Sequence, residues 1–189
     1  RINYTNTAKE RKPIVQYGFA IEPIRHLEKR TKTKEIIYSG VTQRTLRPEM
    51  LDRAALFNYM IGNTDWSVPI GHNMQLLSQP GAPDNQANLA IPYDFDYAGI
   101  VNTDYAIPFE SLPIENTRQR LYMAVCRSNE TFMNTVNEFV QKKDALYKVI
   151  NDFPYLSPRS KKDMTGFLDG FFSLINKRNT ILTYLKTDC

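Results

Sequence analysis

The sequence predicts an α+β fold, mostly α, and three observations carry that prediction. Apolar residues recur at helical spacing over residues 49–61, 115–125, 129–151 and from Pro158 onward. Between the first two segments the pattern changes: Pro69, Pro80, Pro83, Pro92, Pro108 and Pro113 exclude a long helix. Inside that stretch two short apolar runs flank a loop rich in Pro and Gly, the pattern of a β-hairpin. At 189 residues, 42% apolar and 23% charged, the chain is one domain or part of one, with enough apolar residues for a sizeable core.

Taken in order, residues 13–24 (Pro-Ile-Val-Gln-Tyr-Gly-Phe-Ala-Ile-Glu-Pro-Ile) alternate roughly and read as a strand. Residues 25–34, rich in Lys and Arg, read as a solvated turn between strands. Glu35–Tyr38 adds a short strand. Pro48 stands at a helix start, and Met50, Leu51, Ala54, Ala55, Phe57, Met60 and Ile61 give a buried helix that ends before Gly62. Met74–Leu77 and Leu89–Phe95 read as the strands of the hairpin. Helices over Glu115–Val125 and Asn129–Asn151 follow. A last helix is capped by Ser157 and runs through Phe167, Leu168, Phe171, Phe172 and Leu174. Gly166 and Gly170 in that helix suggest a close helix–helix approach, and its aromatic stripe reads as core. The domain boundary falls at residue 46, with 1–46 ahead of a helical body over 47–189.

No apolar run of about eighteen residues occurs, so the sequence holds no membrane span. It has no signal-peptide pattern either. Beginning at Arg1, it reads as a processed or truncated product, which leaves the compartment open. Net charge is +4 but uneven: residues 1–50 carry eleven Lys/Arg against five Asp/Glu. No DNA- or RNA-binding motif accompanies that basic part, so no nucleic-acid partner is expected. The two cysteines, Cys126 and Cys189, lack the spacing of a zinc or thioredoxin-like site. They are either a disulfide or two unrelated buried thiols.

No Lys or Arg occurs between Arg53 and Arg118, while Asp65, Asp84, Asp94, Asp96, Asp104, Glu110 and Glu115 all fall in that window. Clustered carboxylates repel one another unless solvent, a remote cation or a metal relieves them. The hairpin would carry Asn73 at its start and Asp94 and Asp96 at its end, so these three meet at one point, with Asp65 on the loop feeding it. Phosphoryl transfer needs such an inventory: a carboxylate that orients or deprotonates the acceptor, and oxygen ligands that hold magnesium against the phosphates. Asp and Asn are also favoured turn residues, so spacing alone leaves a purely structural loop open. His72 reads as a hydrogen-bonded loop residue and Trp66 as packing.

Gly62-Asn63-Thr64-Asp65 with His72-Asn73 resembles the catalytic loop of HipA-type and CotH-type atypical kinases, and Tyr93-Asp94-Phe95-Asp96 resembles their metal-binding motif. Residues 57–69, 92–101 and 118–127 are similar to a family of uncharacterised proteins of Bacteroides-type bacteria. The resemblance covers roughly residues 14–189. It implies a protein-kinase-like large lobe with a short N-terminal hinge strand, and an ATP- and Mg²⁺-dependent phosphotransferase acting on an unknown acceptor. Asp65 would be the catalytic base, Asn73 and Asp94 the Mg²⁺ ligands, and Asp96 a second ligand or its support. Tyr17, Phe19 and Glu22 would lie on the hinge strand beside the adenine. The family's export signals imply the periplasm or cell envelope and a Cys126–Cys189 disulfide; a cytoplasmic location is the alternative.

Two departures shape these expectations. Seven residues separate Asp65 from Asn73, against about four in ordinary protein kinases, which sets Asn73 far along the chain from the base. Only about a dozen residues precede the hinge strand, so residues 1–46 would be a remnant of the small lobe and nucleotide binding would be weak. Two further functions fit the same residues: a catalytically inactive kinase-like binding module, and a metal-dependent hydrolase using Asp65, Asp94 and Asp96.

Overall fold

The computed structural model describes residues 2–5, 8, 12–18, 20–36, 40–81, 89–125, 128–177, 181–182 and 185. The chain divides into two units, Arg1–Thr33 and Lys34–Cys189.

In the smaller unit, β1 (Ile2–Tyr4) pairs antiparallel with β2 (Ile14–Gln16), Ile2 opposite Gln16. The strand expected over 13–24 is only three residues long, and from Pro23, the N-cap position, the chain enters a helix instead. That helix, α1 (Ile24–Thr31), replaces the expected solvated turn. Its Leu, Glu, Lys and Arg are good helix formers, and Lys29 and Arg30 sit in the last turn, where the helix dipole favours cations. Arg30 donates two hydrogen bonds to the Glu22 carboxylate, at 3.1 and 2.8 Å. Tyr17 is 67% exposed. Phe19 lies outside the described residues.

The larger unit is α+β. It comprises β3 (Lys34–Glu35), a 3-10 turn (Gln43–Thr45), α2 (Pro48–Ile61), β4 (Met74–Ser78), β5 (Leu89–Pro92), α3 (Asn129–Gln141), α4 (Lys143–Asp152) and α5 (Pro158–Ile175). The sheet is antiparallel in the order β3-β4-β5, with Met74 opposite Pro92 and Leu77 opposite Leu89. Residues 34–46 thus belong to this unit: β3 pairs with β4, and Gln43 bonds the backbone of Met123 and Val125.

Helix α2 is the centre of the core. Leu51, Leu56, Tyr59 and Met60 are all at most 2% exposed, and the helix touches β5, α3 and α5. The α5 stripe Phe167, Leu168, Phe171, Phe172 and Ile175 packs into the same core, Phe171 meeting Tyr59, Phe139 and Phe172. Burial of such large side chains supplies most of the stability of a domain this size. Ser157 caps α5 by accepting a 3.0 Å bond from the Ser160 N–H.

Three helical expectations need correction. Residues 115–125 form no helix; they are an irregular strap held by side chains. Arg120 donates to the carbonyls of Met60 and Phe167 at 3.1 and 2.5 Å, with its guanidinium 3.8 Å over the Phe167 ring. Burial pushes its pKa down to about 10, so it stays charged at neutral pH. Arg118 donates to the Gly99 carbonyl and to Asp163. These tertiary bonds outweigh a modest helix propensity. The helix expected over 129–151 breaks at Lys142 into α3 and α4; no Pro or Gly announces the break. Gly166 and Gly170 mark no helix–helix contact: a Cβ at Gly166 would meet nothing within 4 Å, and at Gly170 it would meet Arg120 Nη1 at 3.4 Å. Among the described residues no helix is long and apolar enough to cross a membrane.

Candidate functional site

The site starts where α2 stops. Gly62 takes the left-handed conformation (φ 69°) and turns the chain out of the helix, a backbone geometry that costs glycine least. A buried amide relay then fixes the loop. Asn58 donates to the Ala54 carbonyl, Asn63 donates to Asn58 Oδ1, and Asn63 Oδ1 accepts the Asp65 N–H, each at 3.0–3.1 Å. Asn58 and Asn63 are 0% and 1% exposed, and their mutual pairing removes the penalty of burying two amides.

The long spacing from Asp65 to Asn73 is taken up locally. Ser67 and His72 exchange two backbone hydrogen bonds of 2.9 Å, closing a tight turn over residues 68–71 with Gly71 at φ 63°. The turn returns the chain, so distance in sequence does not become distance in space. The Asn73 amide donates to both the carbonyl and Oδ2 of Asp65, at 2.9 Å each. His72 Nε2 lies 2.7 Å from Asp65 Oδ1. Asp65 is therefore held on both carboxylate oxygens, with its side chain 15% exposed against 44% for His72.

The hairpin delivers the second half. β4 follows Asn73 and β5 returns to Pro92, after which the Tyr93 N–H bonds the Asn73 carbonyl at 3.0 Å. The strand expected to reach Phe95 ends at Pro92. Beyond it Asp94 is left-handed (φ 55°), as is Asn73 (φ 51°). Asn and Asp tolerate that region better than most residues, and such positions cluster at functional sites. Phe95 packs edge-on against Phe57 of α2 at 5.5 Å. Asp96 accepts from Tyr105 Oη at 3.1 Å, and its carbonyl accepts from Thr103 Oγ1 at 2.9 Å. The chain then crosses back: the Gly99 and Ile100 N–H groups bond the carbonyls of Gly62 and Ile61 at 3.0 and 2.9 Å. That crossing ties the Asp65 loop to the Asp94–Asp96 loop.

Partial desolvation first, then the negative charges of Asp96 and Asp65, hold the Asp94 carboxyl above its ordinary value of 3.8; His72 acts in the opposite sense. Desolvation and the bond to Asp96 push the Tyr105 phenol upward as well. The residues expected at the site from the sequence, Asp65, Asn73, Asp94 and Asp96, are thus neighbours. His72, read from the sequence as a hydrogen-bonded loop residue, is one, with Asp65 as its partner; Asn58 as the anchor of the loop and Tyr105 as the partner of Asp96 were not anticipated. Adjacency to Asn73 pointed towards His72, but nothing local marks Tyr105. Among the described residues no set of three or more His, Cys, Asp and Glu side chains is arranged to hold a metal ion. Tyr17 and Glu22 belong to the other unit, where Glu22 is engaged by Arg30. Cys126 and Cys189 lie outside the described residues.

Comparison with protein-family models, with curated proteins and with solved structures finds no match to this chain.

Proposed function

We propose that the hairpin-mouth cluster is the phosphotransfer site of an atypical kinase-like enzyme dependent on ATP and Mg²⁺, with Lys34–Cys189 as its large lobe. The observation that carries this reading is the clamp on Asp65: Asn73 ties down its carbonyl and one carboxylate oxygen, and Asp94 lies within electrostatic reach. Asp65 would orient the acceptor hydroxyl. With the Asn73 amide nitrogen committed to Asp65, its Oδ1 is left as an acceptor suited to a hard cation.

The donor chemistry fits magnesium. Asp94 and Asp96 supply carboxylate oxygens with no Lys or Arg in the surrounding sequence window; desolvation first and then neighbouring carboxylates raise Asp94, and a divalent cation would offset both. Magnesium in nucleotide sites takes one or two protein carboxylates and completes its shell with phosphates and water, so no all-protein cage is required. When bound, the ion would neutralise charge on the phosphoryl oxygens. The exported location and the Cys126–Cys189 disulfide belong to the same proposal.

A thermal-shift series tests it, comparing ATP, MgCl₂ and MgATP on the wild type and on Asp94→Asn. Ligand at about a hundred times its Kd adds about 2.7 kcal/mol, which for a chain of this size raises Tm by about 5–10 °C. The expected result is a saturable gain with MgATP that ATP alone does not give and that Asp94→Asn loses. No magnesium-dependent gain, or a gain that Asp94→Asn retains, would overturn the reading.

A further inference from the structure

Ile100, on the turn after Asp96, lines a cavity of about 570 Å³ with Phe153 and Leu156 from the α4–α5 connection and Met164 of α5. That volume is in the range of small-molecule sites, which pair an apolar wall with a few polar anchors. Two charged side chains also line it, Arg159 and Asp163. Asp163 is already neutralised: Arg118 donates to both of its carboxylate oxygens, at 2.9 and 3.1 Å. Arg159 is exposed and has no carboxylate partner among the described residues, so the lining offers one free guanidinium. A monoanionic carboxylate would match that single positive charge one for one. A guanidinium presents a planar fork that matches a carboxylate in two parallel hydrogen bonds.

We propose that this cavity binds a small amphipathic monoanion, with its apolar body against Ile100, Leu156 and Met164 and its carboxylate on Arg159. The site stands independently of the phosphotransfer reading, because it uses none of Asp65, Asn73, Asp94 or Asp96. Its wall is nevertheless continuous with that cluster, since Ile100 is hydrogen-bonded to Ile61 at the root of the Asp65 loop.

The test is a ¹H–¹⁵N NMR titration of the whole chain with 3-phenylpropionate and, separately, with its neutral counterpart 3-phenylpropanol. Saturable shifts of the Ile100, Asn102 and Met164 amides are expected with the acid, at least tenfold tighter than with the alcohol. Arg159→Gln, at an exposed position on α5, should abolish that tenfold preference and leave the weaker alcohol shifts unchanged. The proposal is overturned if the acid shifts none of these amides saturably, if acid and alcohol bind alike, or if Arg159→Gln keeps the preference.

Discussion

Replacing Gly99 by alanine adds one methyl group where the backbone leaves no room. The new Cβ would lie 2.1 Å from the Thr117 carbonyl oxygen and 3.0 Å from its carbon. Both are backbone atoms, so no rotamer change relieves the clash. Gly99 does not have a positive φ, so alanine incurs no dihedral penalty there and the effect is purely steric. Relief requires Gly99 and the Thr117 carbonyl to separate, which strains the bonds that hold the two segments in place, Arg118 to the Gly99 carbonyl at 2.9 Å and Gly99 to the Gly62 carbonyl at 3.0 Å. Overpacking costs about 1–3 kcal/mol and the two weakened bonds about 1 kcal/mol each. A loss of about 3–5 kcal/mol corresponds to a fall in Tm of about 10 °C or more for a chain of this size. Gly166→Ala is the control. It is the same chemical change in the exposed interior of α5, where the Cβ meets nothing within 4 Å, and it should stabilise by about 0.5–1 kcal/mol. Circular dichroism melts of the two variants read the contrast. A Gly99→Ala melt within about 2 °C of wild type, or a shift of the same sign for both glycines, would refute the reasoning that the crossing is sterically closed.

The clamp on Asp65 makes a second prediction. Asn73→Ala removes the amide that bonds Asp65 twice at 2.9 Å and places alanine at φ 51°, for a combined loss of about 2–3 kcal/mol in urea unfolding. Asn73→Gly loses the same amide without the left-handed strain, so its loss should be smaller by about 1 kcal/mol; equal losses would show that the backbone term is absent. The third concerns pH. The Asp94 carboxyl is raised above its ordinary 3.8 in the folded chain, so its stabilising contribution is complete below that value and is lost as pH rises past it. Asp94→Asn removes this loss, and in the absence of divalent cations its stability relative to wild type should grow between pH 4 and pH 7. A difference that is flat or shrinks over that range would count against crowding by Asp65 and Asp96.

Much of the scaffold was legible in the chain because its signals are local. Pro48, the apolar period of α2 and Gly62 marked both ends of one helix; Ser157-Pro158 marked the start of another; the paired apolar runs around residues 78–88 marked the hairpin. The hairpin in turn predicted that Asn73, Asp94 and Asp96 would meet, because antiparallel pairing obliges the two ends of a hairpin to be neighbours. What propensity could not reveal were the places where distant groups outbid local preference. Arg118 and Arg120 turn residues 115–125 from an expected helix into a strap by offering their guanidiniums to carbonyls at Gly99, Met60 and Phe167. Lys142 breaks a helix whose sequence shows no breaker.

The sequence by itself determined the acidic inventory, the cation-free window around it and the hairpin that gathers Asp94 and Asp96 beside Asn73. Only the tertiary structure decided that Asn73 and His72 grip Asp65 despite the long spacing. The Ser67–His72 turn folds that spacing away, and a turn's closure depends on which backbone groups find partners, which residue counts do not record.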